Sequence, residues 1–341
     1  MVTVGAGMRT SFAHTQFDEP DPEVPDFDST SDRFFLDSAR IYLGGAATKN
    51  IKFMFNTEYN GADNEVQILD AAARLEFSPA FNIWAGRFLP PSDRANLYGP
   101  YYAHHWGVFT DGVQDGYPFI FQGRANGAMY WGQFGMVKVS AGVFDGPSLD
   151  IGGAGGDLLA AGRVQVDFWD PEDGYYLNST YYGDKNLLAI GFAAQAQGDD
   201  DPDNDESHTA YSVDFLLERK VGMGGAYTVE AEWARYSRLG GYPSPAGPYE
   251  TNDGAYILGA YLFPSLTGPG RFEILGKFAR ARFLSAFDEA DDETQTTTEI
   301  NLNYLLRQFN ARLMIFFQDT RFELSESANS WRIGAGLQIQ M

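Results

Sequence analysis

The chain has 341 residues, no cysteine and a formal net charge of -22. The missing thiols exclude disulfide frameworks, thiolate zinc sites and cysteine nucleophiles. The acidic balance excludes nucleic-acid binding, which needs a basic footprint to displace counterions. No run of 18 or more apolar residues occurs. That excludes a transmembrane helix but not a membrane barrel, whose strands alternate and average out in any hydropathy window.

Aromatic residues make up 15% of the chain, and there are 38 glycines. This composition suits an outer-membrane barrel and an acidic soluble all-β protein equally. Met1 is followed at once by strand-like sequence, with no secretory signal. An outer-membrane location therefore implies a mature chain carrying an added or renumbered Met1.

The first element runs from the N-terminus. Val2, Val4, Ala6, Met8, Thr10 and Phe12 alternate with Thr3, Gly5, Gly7, Arg9 and Ser11, so one face is largely apolar and the other polar or glycine. Fourteen further segments of this kind fall near 32–45, 51–59, 67–77, 81–88, 122–132, 135–144, 159–169, 186–197, 209–220, 226–237, 254–263, 271–283, 297–306 and 309–319. The last is the clearest: Trp331, Ile333, Ala335, Leu337, Ile339 and Met341 alternate with Arg332, Gly334, Gly336, Gln338 and Gln340. Sixteen segments predict an all-β fold. It is a 16-stranded antiparallel transmembrane β-barrel, one domain spanning 1–341, with about 21 residues per strand and connection.

The connections alternate in length. One series is mostly short, at 46–50, 78–80, 133–134, 170–185, 222–225, 264–270 and 307–308. The other is mostly long, at 14–31, 61–66, 89–116, 145–157, 198–208, 238–253, 285–296 and 320–330. Short turns on one side and long loops on the other are the outer-membrane barrel pattern, and a sandwich has no reason to sort its loops this way. The long loops carry much of the acid, including Asp18, Glu19, Asp21 and Glu23, then 199–206, then 288–293. A like-charge run is ordinarily a solvated loop. The sharper reading is calcium held by Asp199, Asp201, Asp203 and Asp205, although the glycine and terminal glutamate of an EF-hand loop are missing. No other cofactor is expected.

Tyr101, Tyr102, Trp106, Trp131, Trp169, Tyr175, Tyr176, Tyr181, Tyr182, Trp233, Tyr236 and Trp331 fall at or beyond strand ends. That placement predicts an interfacial aromatic girdle rather than sandwich core. With the apolar face outward, the predicted pore lining includes Arg9, Arg40, Lys52, Arg74, Arg124, Lys138, Arg163, Arg312 and Arg332, with Glu230 and Glu232. Inward acids and bases nearly cancel, so most should pair along the wall while a minority set selectivity. The longest connection, 88–116, is rich in proline and aromatics, and long connections in compact domains are usually functional. It is expected to fold into the lumen and to place Asp93, Arg94, Tyr101, Tyr102, His104 and His105 at the constriction. An extracellular cap or a subunit contact is the alternative role.

The stretch 33–106 resembles the phosphate-selective porin O/P family of Gram-negative outer membranes. The resemblance is carried by Arg33-Phe34-Phe35-Leu36-Asp37-Ser38-Ala39-Arg40-Ile41-Tyr42-Leu43-Gly44-Gly45 and by Ile51-Lys52-Phe53-Met54-Phe55-Asn56-Thr57-Glu58-Tyr59. It continues through Leu69-Asp70-Ala71-Ala72-Ala73-Arg74-Leu75 and Trp84-Ala85-Gly86-Arg87-Phe88-Leu89-Pro90-Pro91, with a further patch at Tyr182-Gly183-Asp184-Lys185. The resemblance implies a sixteen-stranded homotrimer with loops folded into each pore, and an anion- or phosphate-selective channel. The phosphate-selective members use arginine ladders and lysine clusters. This chain has six lysines and no lysine-rich stretch, and it ends in Met341 where such barrels usually end in an aromatic residue.

The resulting expectation is a porin in the Gram-negative outer membrane. Its partners are membrane lipid, lipopolysaccharide, and the small ions or hydrophilic solutes that diffuse through it. Acidic vestibule loops would favour cations weakly. A non-conducting scaffold is one rival. An enzyme is another: Glu230 and Glu232 share a face, which suits a lumen wall or the cleft of a soluble β-sandwich carbohydrate enzyme. The four histidines, His14, His104, His105 and His208, accompany no Gly-x-Ser-x-Gly elbow, so the chain is not expected to be an enzyme.

Overall fold

The computed structural model describes residues 2–18, 29–60, 65–108, 110–113, 123–146, 158–198, 207–244, 247–285 and 292–341. Its strands are β1 (Val2–Phe17), β2 (Thr30–Ala46), β3 (Ile51–Asn60), β4 (Glu65–Ser78), β5 (Phe81–Phe88), β6 (Ala125–Phe134), β7 (Val137–Asp145) and β8 (Leu158–Asp167). They continue as β9 (Leu187–Gln197), β10 (His208–Val221), β11 (Gly225–Ser244), β12 (Gly247–Leu262), β13 (Arg271–Ser285), β14 (Glu293–Arg307), β15 (Ala311–Phe322) and β16 (Ser330–Gln340). Each strand pairs with its chain neighbours, and β1 pairs antiparallel with β16 from Gly7↔Gln340 to Phe17↔Ser330, which closes the barrel. Among the described residues each strand therefore has a partner on both sides, although β2 pairs with β3 only from Arg40 to Ala46.

The exposure pattern is the reverse of a water-soluble protein's. On β14, Ile300 and Leu302 are exposed while Glu299, Asn301 and Asn303 are buried. On β16, Ile333 and Ile339 are exposed while Gln338 is fully buried. Period-2 alternation puts the two sets on opposite faces of the wall, and charged or amide side chains rarely occupy the buried set unless they are paired. Among the described residues no helix is long and apolar enough to cross a membrane.

Several strands run further toward the long-loop end than alternation predicts. The expected loop 238–253 is largely a hairpin, with Tyr242↔Tyr249 and Ser244↔Gly247 in register. β1 extends to Phe17 and β15 to Phe322. Backbone pairing propagates from an established neighbour strand whatever the side chains are, so polar extensions carry no alternating signal. Of the segment 122–124, expected as strand, Gly123 and Arg124 precede β6, and Gln122 lies outside the described residues.

The aromatic girdle expected from the sequence is only partly present. Tyr101, Trp106, Trp131, Tyr175, Tyr182 and Tyr236 are buried, and Tyr176 packs against the main apolar cluster. The sequence shows that an aromatic lies near a strand end, not which face it takes. Trp169 and Trp233 are exposed as expected. Other outward rings flank the short turns, including Phe77, Phe81, Phe134, Phe168, Tyr227 and Phe263.

Candidate functional site

Two connections pack on the buried face of the wall. The first follows β5. Phe88 leads into Pro90 and Pro91, whose fixed φ keeps the chain extended. Asp93 then caps a single helical turn, α1 (Arg94–Tyr98), by accepting from the Asn96 backbone N–H at 2.8 Å. Gly99, at φ 60, ends the turn in a conformation that favours glycine. Residues 88–101 and 103–107 are buried.

Hydrogen bonds tie this segment to strands all round the barrel. The Arg163 guanidinium (β8) donates to Ser92 O at 3.2 Å, and the Ala95 N–H reaches Glu232 Oε2 (β11) at 3.3 Å. Arg312 Nη1 (β15) donates to Ala103 O at 2.7 Å, and Gln338 Nε2 (β16) to Tyr101 O at 2.9 Å. The Trp106 and Gly107 N–H groups converge on Glu299 Oε1 (β14) at 3.0 and 3.1 Å. Arg9 (β1) donates to Trp106 O at 3.1 Å and lies 4.1 Å over the indole ring. Beyond it, Lys277 (β13) pairs with Asp111 at 2.6 Å.

The second connection, 168–186, joins β8 to β9. The sequence placed it with the short turns and assigned its tyrosines to an interfacial girdle, yet Glu172, Ser179 and Thr180 are fully buried. It meets the first segment directly. The Leu177 N–H donates to Leu97 O at 3.2 Å, and the Ser179 N–H to Tyr102 O at 3.1 Å. The Tyr175 hydroxyl donates to Leu89 O at 2.8 Å. At the junction, Arg94 holds Glu172 through two hydrogen bonds of 2.9 and 2.5 Å and reaches Asp214 on β10 at 3.3 Å. Arg163 also binds Asp214, at 2.8 Å. Burial works against charge on Glu172, but the Arg94 guanidinium overrides it and holds the carboxyl below its usual range. Asp93 moves the other way. Burial raises it, opposed in part by hydrogen bonds from Asn96 and Tyr236.

Five of the six predicted constriction residues are buried. Asp93 accepts from the Tyr236 hydroxyl at 2.9 Å, and Arg94 forms the ion cluster. Tyr101 lies against Ser38 at 3.1 Å, His104 is 3.0 Å from Glu273, and His105 is 3.3 Å from Lys277. Tyr102 differs: it is 41% exposed and sits edge-on to Phe309. These side chains are locked to the wall and to the second connection, and do not form an open rim.

The predicted lining residues all lie on the inner, mostly buried side-chain set. Arg40 pairs with Glu58, Arg124 with Asp70 at 3.3 Å, and Lys52 with Glu76 at 2.7 Å. Arg74 approaches Glu76 at 3.6 Å, Arg332 lies over the Phe316 ring, and Lys138 donates to Glu172 O at 2.8 Å. Glu230 accepts from Ser179 and Tyr256 at 2.7 and 2.6 Å. Glu230 and Glu232 are thus occupied by the two connections and face no cleft. The calcium candidates Asp199, Asp201, Asp203 and Asp205 lie outside the described residues. Among the described residues no group of three or more His, Asp or Glu side chains is placed to hold a metal ion.

The sequence reading missed Glu172 as a partner of Arg94. A signal was present: a connection of this length on the short-turn side, carrying Tyr175-Tyr176 and Tyr181-Tyr182, is too long and too aromatic for a simple turn.

No family model matches the sequence, and no curated protein sequence matches it. The resemblance to the phosphate-selective porin O/P family therefore stands on the sequence pattern alone. Solved structures do match over the whole chain. The outer membrane channel DcaP of Acinetobacter baumannii aligns with a TM-score of 0.61 at 12% identity, covering 100% of this chain and 97% of that one. An anion-selective porin from Comamonas acidovorans aligns with a TM-score of 0.60 at 12% identity, covering 100% and 99%. OmpT of Vibrio cholerae, in its trimer form, aligns with a TM-score of 0.57 at 10% identity, covering 100% and 99%. The fold of this chain is the fold of these outer-membrane barrels.

Proposed function

We propose that the protein is an outer-membrane porin, a water-filled barrel for passive diffusion of small hydrophilic solutes or ions. One observation carries this reading: a closed 16-strand wall exposes isoleucine, leucine and phenylalanine on its outer face and buries charged side chains within. An apolar belt of that extent is unfavourable in water and suits a bilayer. The similar fold of the DcaP channel and the anion-selective porin supports the same reading. The resemblance to the O/P family and the trimer form of OmpT support a homotrimer.

The connection after β5 is the lumenal constriction in this proposal. A segment bonded to β1, β8, β11, β13, β14, β15 and β16 of a closed barrel reaches them through its interior. The connection 168–186 meets it there. Arg94, Glu172, Glu230 and Arg312 are fully buried; in this proposal the layer they form closes the lumen, and solute passage requires it to open. The channel is gated at this layer. Acidic loops at the long-loop mouth concentrate cations and give a weak cation preference. The anion-selective alternative rests on the O/P resemblance.

Reconstitution in planar lipid bilayers tests the reading. Discrete ohmic steps, with a reversal potential in a salt gradient displaced toward cations, are expected. A protein that stays monodisperse without detergent and never conducts is not a porin.

A further inference from the structure

We propose that the short-turn mouth of the barrel holds a binding site for a small organic carboxylate with a flat, apolar body. A cavity of about 550 Å³ opens there, beside the turns that follow β2 and β4. That size suits a small molecule. Its walls are aromatic. Trp84 (β5) and Trp131 (β6) meet edge to face at 6.0 Å between ring centroids, and Tyr175 and Tyr176 pack on Trp84 at 5.2 and 5.8 Å. These rings come from the wall and from the 168–186 connection, so the cavity exists only when that connection is seated.

The polar groups point to an acceptor-rich ligand. The Nε1–H groups of Trp84 and Trp131 are buried and have no hydrogen-bond partner among the described residues. Both side chains are more than nine-tenths buried and both line the cavity. An indole N–H only donates, and a buried donor without an acceptor is unfavourable. Neither atom is solvent-accessible, so a ligand oxygen would satisfy them after a small shift of the rings that line the cavity.

The charge has the same sense. Lys49, Lys52 and Arg74 line the cavity against the single carboxylate of Glu76. Lys52 and Arg74 share that carboxylate, at 2.7 and 3.6 Å, which leaves the mouth locally basic in a chain of net charge -22. Arg74 also lies 5.4 Å over the Trp84 ring. Donors and cations select an anion, and the ring walls select one with a planar apolar part over a bare inorganic ion. This site stands whether or not the barrel conducts.

Titration calorimetry on the detergent-solubilised, folded barrel tests it, with benzoate, acetate and inorganic phosphate as probes. Benzoate is expected to bind about tenfold more tightly than acetate or phosphate. Trp131→Phe keeps the ring, removes one donor, and is expected to weaken benzoate roughly fivefold. Lys52→Gln, at the water-exposed rim, is expected to weaken it similarly without affecting folding. Quenching of tryptophan fluorescence by benzoate in the unaltered protein provides a readout independent of any variant. Absence of benzoate binding and quenching would overturn the proposal. So would equal benzoate affinity in Trp131→Phe and Lys52→Gln, or a preference for phosphate over benzoate.

Discussion

Arg94 and Glu172 form a two-pronged ion pair between two connections that leave opposite ends of the barrel, one after β5 and one after β8. Both side chains are fully buried. Removing one partner of such a pair leaves a buried charge uncompensated and costs about 3–5 kcal/mol. If the pair latches this layer, Glu172→Gln or Arg94→Ala shifts the closed-to-open ratio by roughly 100-fold to several-thousand-fold. Single-channel open probability measures this. In a double-mutant cycle the pair should cost less than the sum of the two single changes.

Acid should act on the same latch. The Glu172 carboxyl is held below its usual range by Arg94, after burial has pushed the other way. A depressed carboxyl contributes docking stability that is fully present above the ordinary glutamate value, about 4.3, and lost as pH falls through the lower, docked value. Asp93, raised by burial, has the opposite sign: its protonation, beginning above the ordinary aspartate value, favours the docked state. Conductance should therefore hold steady or fall slightly on mild acidification and rise only below about pH 4. In Glu172→Gln that low-pH rise should disappear.

Gly7 on β1 and Gly336 on β16 set how closely the first connection approaches the wall. A Cβ at Gly7 would stand 2.6 Å from the Tyr101 ring, and one at Gly336 would stand 2.6 Å from the Trp106 ring. Gly7→Val and Gly336→Val should each unseat the aromatic side chain above them, at about 1–3 kcal/mol. Faster proteolysis within 89–113, with the barrel itself still resistant, would record that loss of docking.

The outer face gives a test that separates a membrane barrel from a soluble sheet protein. Ile300 is exposed in the middle of β14. Ile300→Arg should destabilise the barrel in lipid vesicles by about 2–4 kcal/mol, as for a cation at the bilayer midplane. In a soluble fold the same exposed substitution would be neutral or would improve solubility. Denaturant titration in vesicles distinguishes the two.

The strands were legible in the sequence because the two faces of a barrel wall meet different media, and period 2 records that contrast along each strand. β16 shows it residue by residue, from Trp331 to Gln340. The inward position of Arg9, Arg163 and Arg312 followed from the same rule. Their partners did not, because pairing depends on a third dimension that alternation does not encode. Arg94 meets Glu172 and Asp214 from 78 and 120 residues away. Tyr175 and Tyr182 were misplaced for a related reason. An aromatic beyond a strand end can turn outward to lipid or inward to the other connection, and local sequence is the same in both cases. The ends of β11 and β12 escaped notice because 238–253 carries no period-2 alternation, while their pairing is a backbone feature.

In the function proposed above, the barrel is a channel closed by a seated layer of side chains. Single-channel recording in planar bilayers, comparing the unaltered protein with Arg94→Ala, tests it most directly. Ohmic steps are expected for both, brief in the unaltered protein and sustained in the variant, grouped in threes and weakly cation-selective. Folded, membrane-inserted protein that passes no current in either form would contradict it.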